Sequence, residues 1–256
     1  MKFPRSGLLL AACLVGFSGC LFSLPAGLAP KEETPQPPRG VVFIVGGIGG
    51  FDILGPSAQW ALPRAGVPHE VREFVWTHGF GRMFKDLQDY RHLLGKAEEL
   101  AREVGRVKAK DPDRPVYLVG KSGGTGLVLA AAECLPPATL ERIVLLSAAV
   151  SACYDLRGAL QATKGQIVSF YSRYDALILG WGTSQFGTVD RVYGPSAGLR
   201  RFTPPPNLDE TDRALYGRLV EIPWNPRMIL EGHTGTHLGT SLPAFLGKEV
   251  APWLMP

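Results

Sequence analysis

The stretch VYLVGKSGG, Val116 to Gly124, constrains this chain more than any other. Four β-favouring residues, Val116, Tyr117, Leu118 and Val119, run straight into Gly120-Lys121-Ser122-Gly123-Gly124, and an Ala- and Leu-rich helical pattern, LVLAAAECL, begins at once. Strand, tight turn carrying G-x-S-x-G, then helix is an order that forces the central serine into a strained backbone. It also brings strand and helix close together, so a Cβ at either motif glycine is expected to clash. The turn lifts Ser122 Oγ above the sheet, over a helix N-terminus that favours developing negative charge. The letters Gly-Lys-Ser also suggest a phosphate loop. A Walker A loop needs glycine five residues before the G-K-S glycine, where Pro115 stands, and the strand fills the space the loop would occupy.

The 256 residues, 45 % hydrophobic and 20 % charged, suit one sizeable α/β domain that needs no staples. The formal charge of +4 falls to +2 without Lys2 and Arg5. That is too little for a nucleic-acid surface, and no basic patch interleaved with aromatics occurs, so nucleic acid is not an expected partner.

The N-terminus reads as an export signal, with MKFPR as a positive start and GLLLAACLVGF as an apolar core too short to span a bilayer. It ends in Phe17-Ser18-Gly19-Cys20, and small residues directly before a cysteine resemble the lipobox of bacterial lipoproteins. That resemblance implies removal of residues 1–19 and a lipid anchor on Cys20, placing the protein in the cell envelope. Phe17 departs from the usual leucine. Leu10-Ala11-Ala12-Cys13 fits the box better letter by letter but leaves a very short apolar core, and an ordinary secretory signal is the alternative to a lipobox. Residues 20–40, with five prolines and no periodicity, form an extended tether, and 41–256 form the domain. Cys134 and Cys153 are expected at opposite ends of the sheet, too far apart to be bridged, and so free and buried.

Along the domain, VVFIV (41–45) is a buried strand followed by Gly46-Gly47-Ile48-Gly49-Gly50. A dinucleotide fingerprint from Gly47 would need glycine at 52, which is Asp52, so the loop is better suited to presenting backbone N–H groups to an oxyanion. PSAQWALPRAG suggests a short helix, EVREFVW a second strand, and residues 86–107 one long helix with a single buried face. After the serine strand and helix come strands RIVLLS and QIVSFYS, separated by a short helical segment. Residues 176–206 are dense in Gly, Pro and aromatics. A helix is expected from about Asp209 to Val220, a last strand at RMILEG (227–232), and a C-terminal helix from about Leu242 to Trp253. Strands alternating with helices imply an α/β fold with a doubly wound, mostly parallel sheet of about six strands.

A serine alkoxide is inaccessible at neutral pH, so Ser122 needs a base and the base an orienting acid. In wound sheets such groups gather at the carboxyl ends of strands. Asp175 follows QIVSFYS, and His233 and His237 follow the expected last strand, giving the chain order Ser, Asp, His. With GKSGG as the serine turn, YSRYD for the acid and GHTGTHLG for the histidine, residues 40–256 resemble the α/β-hydrolase superfamily, trimmed of its first two strands. The resemblance implies acyl-transfer hydrolysis through a serine-bound intermediate, carboxylesterase- or lipase-like, with no cofactor or metal. Ser122 matches the nucleophile, Asp175 the acid and His237 the base, with His233 as the alternative base. The backbone N–H groups of Gly123 and Ile48 match the oxyanion hole, although this chain has Gly46-Gly47 where the superfamily commonly has His-Gly.

The other polar residues fit less well. His78, in His78-Gly79-Phe80-Gly81, stands too few residues before Ser122 for the oxyanion turn and reads as structural. Asp190 is expected to pair with an arginine, and Asp155 is a weaker acid candidate than Asp175. A zinc helix at His233 and His237 would need glutamate at 234, which is Thr234. The expected substrate is a small-molecule or lipid acyl ester, with Leu177, Ile178, Leu179, Trp181 and Phe186 as an apolar wall. The rival expectation is a catalytically silent envelope scaffold that keeps the fold.

Overall fold

A computed structural model describes residues 38–51, 53–175 and 187–256. The signal, Cys20 and most of the tether lie outside these residues, as do Leu177, Ile178, Leu179, Trp181 and Phe186. The elements are β1 (Gly40–Val45), α1 (Leu54–Arg64), β2 (His69–Glu73), α2 (Met83–Gln88), α3 (Tyr90–Lys110), β3 (Val116–Lys121), α4 (Gly123–Glu133), β4 (Arg142–Leu146), α5 (Arg157–Ala162), β5 (Ile167–Tyr171), α6 (Glu210–Tyr216) and β6 (Leu219–Pro223). Helical turns Pro243–Phe245, Leu246–Val250 and Ala251–Leu254 close the chain.

All six strands run parallel in the order β2-β1-β3-β4-β5-β6. Both faces are covered, which is why the strands read as continuous apolar runs. Side chains alternate across β3: Val116 and Leu118 enter the core beneath α3, α4 and α5, while Tyr117 and Val119 enter the one beneath α1 and the C-terminal turns. Helix α3 contributes Leu93, Ala97, Leu100, Val104 and Val107 on one stripe. β1 is followed by β2 on one side and pairs with β3 on the other, so the crevice between β1 and β3 is the topological switch point.

Four expectations are corrected. RMILEG is not a strand: Pro226–Glu231 is a 3₁₀ turn, with the Asn225 side chain accepting from the Arg227 N–H and Pro226 leading the turn. The last strand is β6, because α6 stops at Gly217 and Leu219 pairs with Ile167. The expected helix 86–107 is two helices, broken where the Asp89 side chain turns back to accept the His92 N–H at 3.0 Å. Cys134 and Cys153 are free but exposed, one at the outer end of α4 and one in a surface turn.

Candidate active site

Ser122 sits between β3 and α4 with φ 51° and ψ −125°, on the left-handed side of backbone space. A non-glycine residue there carries on the order of 1–3 kcal/mol of strain, so its surroundings must over-determine it. They do. The Ser122 N–H donates to Leu146 O at 3.0 Å, and its carbonyl accepts from the Thr125 N–H and hydroxyl and, at 3.4 Å, from the Ala149 N–H. The flanking glycines are required by close approach. A Cβ on Gly120 would stand 2.7 Å from Val128 Cγ2, and one on Gly124 would fall on the carbonyl oxygens of Val45 and Gly46.

Asp175 and His237 meet. His237 Nδ1 lies 2.7 Å from Asp175 Oδ2, and both residues are buried. An ionised carboxylate only accepts, so Nδ1 carries the proton and Nε2 is left with its lone pair. Asp175 is set by a turn off β5 in which its N–H donates to Ser172 O at 3.1 Å. The Ser172 hydroxyl donates to Gly235 O at 2.7 Å, tying the histidine loop to the end of β5. The register pairs Lys121 with Leu146, so the following residues, Ser122 and Ser147, are neighbours across β3 and β4. Ser147 Oγ is 3.4 Å from Thr240 Oγ1, and that hydroxyl donates to His237 O at 3.5 Å. Thr240 thereby ties the His237 loop to Ser147, which follows β4 as Ser122 follows β3.

His233 is placed elsewhere. Its ring is buried edge-on against Phe245 with centroids 4.9 Å apart, and its Nδ1 has no hydrogen-bond partner among the described residues. Burial pushes its pKa down to about 4, against a small opposing pull from Glu231.

Ile48 opens a 3₁₀ turn (Ile48–Gly50) and Gly123 opens α4, so both N–H groups belong to first turns that have no acceptor within the helix. The two residues are adjacent: a Cβ on Gly123 would be 2.7 Å from Ile48 Cγ2. Asp86, which is buried, clamps this loop from behind. Its Oδ2 accepts the Gly49 N–H at 2.7 Å, and its Oδ1 accepts the His78 N–H at 2.7 Å and faces His78 Nδ1 at 2.8 Å. The His78 ring packs 4.0 Å from that of His92, whose Nε2 donates to Trp76 O at 2.6 Å. Trp76 Nε1 in turn donates to Gly46 O at 2.9 Å. His78 thus serves the loop structurally.

No protein-family model matches the chain, and no curated protein does. Among solved structures it is similar to Trichoderma reesei cutinase, at 16 % identity over 85 % of this chain and 76 % of that one, TM-score 0.41. It is also similar to a lipase-esterase related protein from Clostridium acetobutylicum, at 12 % identity over 86 % and 95 % of the two chains, TM-score 0.45. A third is Bacillus licheniformis lipase BlEst2, at 15 % identity over 88 % and 95 %, TM-score 0.46.

The remaining acids lie apart from the Asp175–His237 pair. Asp190 accepts the Ser151 N–H at 2.9 Å, where an arginine partner is expected from the sequence. Asp155 is held by Arg157 at the surface. Sequence reasoning misses Asp86, Ser147, Ser172 and Thr240. Asp86 carries a signal in hindsight, since it is an acid on the buried face of a helical pattern, but its partner Gly49 is 37 residues away. A groove of about 400 Å³ opens at the ends of β5 and β6, lined by Tyr171, Tyr174 and Trp224, two strands from Ser122.

Proposed function

We propose that this protein is a serine hydrolase of the α/β-hydrolase type that cleaves an ester or related acyl bond. The observation that carries the reading is the buried His237–Asp175 pair at 2.7 Å, and the left-handed turn of Ser122 at the end of β3 supports it. His237 Nε2 takes the Ser122 hydroxyl proton as Oγ attacks the acyl carbon. The Gly123 and Ile48 N–H groups receive the charge that develops on the carbonyl oxygen. Collapse expels the alcohol, which leaves with the proton from His237, and a water activated by the same imidazole releases the acid. Asp175 fixes the tautomer and stabilises the imidazolium. The chemistry needs no cofactor. The sequence supports export and anchoring through a lipid on Cys20, which metabolic labelling with an alkynyl fatty acid tests: the label is expected on the wild type and absent from Cys20→Ser.

Hydrolysis of p-nitrophenyl esters of graded chain length tests the activity. Ser122→Ala is expected to lower the rate by at least about 10³-fold with the fold intact. A wild-type protein that folds and hydrolyses none of the series would favour the silent scaffold instead.

A further inference from the structure

The loops that follow β1 and β2 hold large apolar side chains in water. Phe80 is 80 % exposed, Phe51 and Ile53 are each 50 % exposed, and Met83 is 38 % exposed. Singly exposed apolar residues need no explanation, but a contiguous set does. The Phe51 and Phe80 ring centroids are 4.4 Å apart, and the two loops are joined by the Gly81 N–H donating to Gly49 O at 2.9 Å. A Cβ on Gly49 would touch both Phe51 and Met83, so Phe51, Phe80 and Met83 are contiguous.

The patch is also basic. Arg82 and Lys85 are exposed in the same stretch, and neither forms an ion pair among the described residues. Of the nearby acids, Asp86 is turned inward onto the Gly49 and His78 N–H groups, Asp89 accepts the His92 N–H, lies 3.4 Å from His78 Nε2 and shares its field with Lys85, and Asp52 lies outside the described residues. Phe51 follows Ile48 by three residues, so the patch belongs to the loop whose Ile48 side chain lies against Gly123.

We propose that this face docks on an anionic lipid bilayer. Phe51, Ile53, Phe80 and Met83 enter the headgroup–acyl boundary, and Arg82 and Lys85 meet lipid phosphates, as an apolar surface flanked by exposed cations does at such a boundary. A second copy of the chain suits the face less well, because a symmetric contact would set Arg82 and Lys85 against their own kind. The docking stands on these residues alone. The consequence that Ser122 opens toward an ester presented by the bilayer rests on the hydrolase reading.

Hydrogen exchange of the full chain, read by mass spectrometry, tests the docking. Vesicles of phosphatidylcholine mixed with phosphatidylglycerol are expected to slow exchange in peptides covering residues 49–53 and 79–85, more than pure phosphatidylcholine does. Residues 111–115, at the opposite end of the sheet, are expected to be unchanged. The double variant Arg82→Glu/Lys85→Glu is expected to lose the difference between the two vesicle types while keeping its circular dichroism. Ser122→Ala is expected to behave as wild type, so an inactive enzyme leaves this result standing. Unchanged exchange at 79–85, with any protection confined to residues 1–40, would overturn the proposal. So would equal protection in vesicle-free protein as its concentration rises, which would assign the face to self-association.

Discussion

Two carboxylates with different duties flank the proposed chemistry. Asp175 holds the His237 ring directly, so Asp175→Asn, which invites the wrong tautomer, is expected to lower kcat by roughly 10³- to 10⁴-fold with little change in KM. Asp86 touches no reacting atom and acts by positioning. It fixes Gly49, one residue beyond the proposed oxyanion donor Ile48. Asp86→Asn replaces one acceptor oxygen with an amide that has no use for the N–H donors it faces, leaving a loop that must find its geometry at each turnover. The expected loss is about 10- to 100-fold in kcat, below that of a deleted oxyanion donor, again with KM nearly unchanged. A raised KM at constant kcat would instead place Asp86 in substrate binding. His237→Gln is expected to remove turnover, whereas His233→Gln, altering a ring held against Phe245, is expected to keep most of it.

At the scale of elements, what could be read from the chain is what local sterics dictate. The serine turn is legible because its glycines, its strand and its helix are contiguous, and Gly120 and Gly124 stand where the backbones of neighbouring segments leave no room for a Cβ. The buried face of α3 is legible from its period. Leu100→Ala there is expected to cost about 2–5 kcal/mol in urea unfolding, through lost burial and the cavity left behind. The last strand is not legible. Among the described residues β6 pairs on one side only, its residues are half-buried or exposed, and it ends in a proline, so its alternation is weak. The richer run in RMILEG attracts the assignment, yet Ile229 and Leu230 are 51 % and 86 % exposed in their 3₁₀ turn. The histidine loop is nevertheless placed correctly in order, because it follows the sheet's last strand in either reading. The polar residues that tie this loop down, Ser147, Ser172 and Thr240, are invisible in sequence because each acts on a partner at least 63 residues away or on backbone.

For the whole molecule, two wound faces close over one sheet, and burial of histidine within them couples stability to pH. His233 and His69 are both held below the ordinary imidazole range, chiefly by burial. The unfolded chain therefore binds protons that the folded chain refuses, and stability rises with pH in that window. The stabilisation is full above the ordinary value near 6.5 and is lost as pH falls toward about 4 for His233, on the order of 3 kcal/mol in all. Melting temperature is expected to fall steadily from pH 7 to that point, and His233→Gln is expected to flatten the slope whatever its effect at neutral pH. An unchanged slope would assign the acid sensitivity to other groups.

The proposal joins Ser122 to the His237–Asp175 pair at the carboxyl ends of the strands, and covalent capture tests that union most directly. After treatment with a fluorophosphonate, intact-mass and peptide analysis of the wild-type chain is expected to show one adduct, on Ser122. The adduct is expected to vanish in Ser122→Ala and to form far more slowly in His237→Gln, with His233→Gln labelled at nearly the wild-type rate. Folded wild-type protein that takes no adduct on Ser122, or a His237→Gln variant labelled as fast as wild type, would contradict the assignment of nucleophile and base.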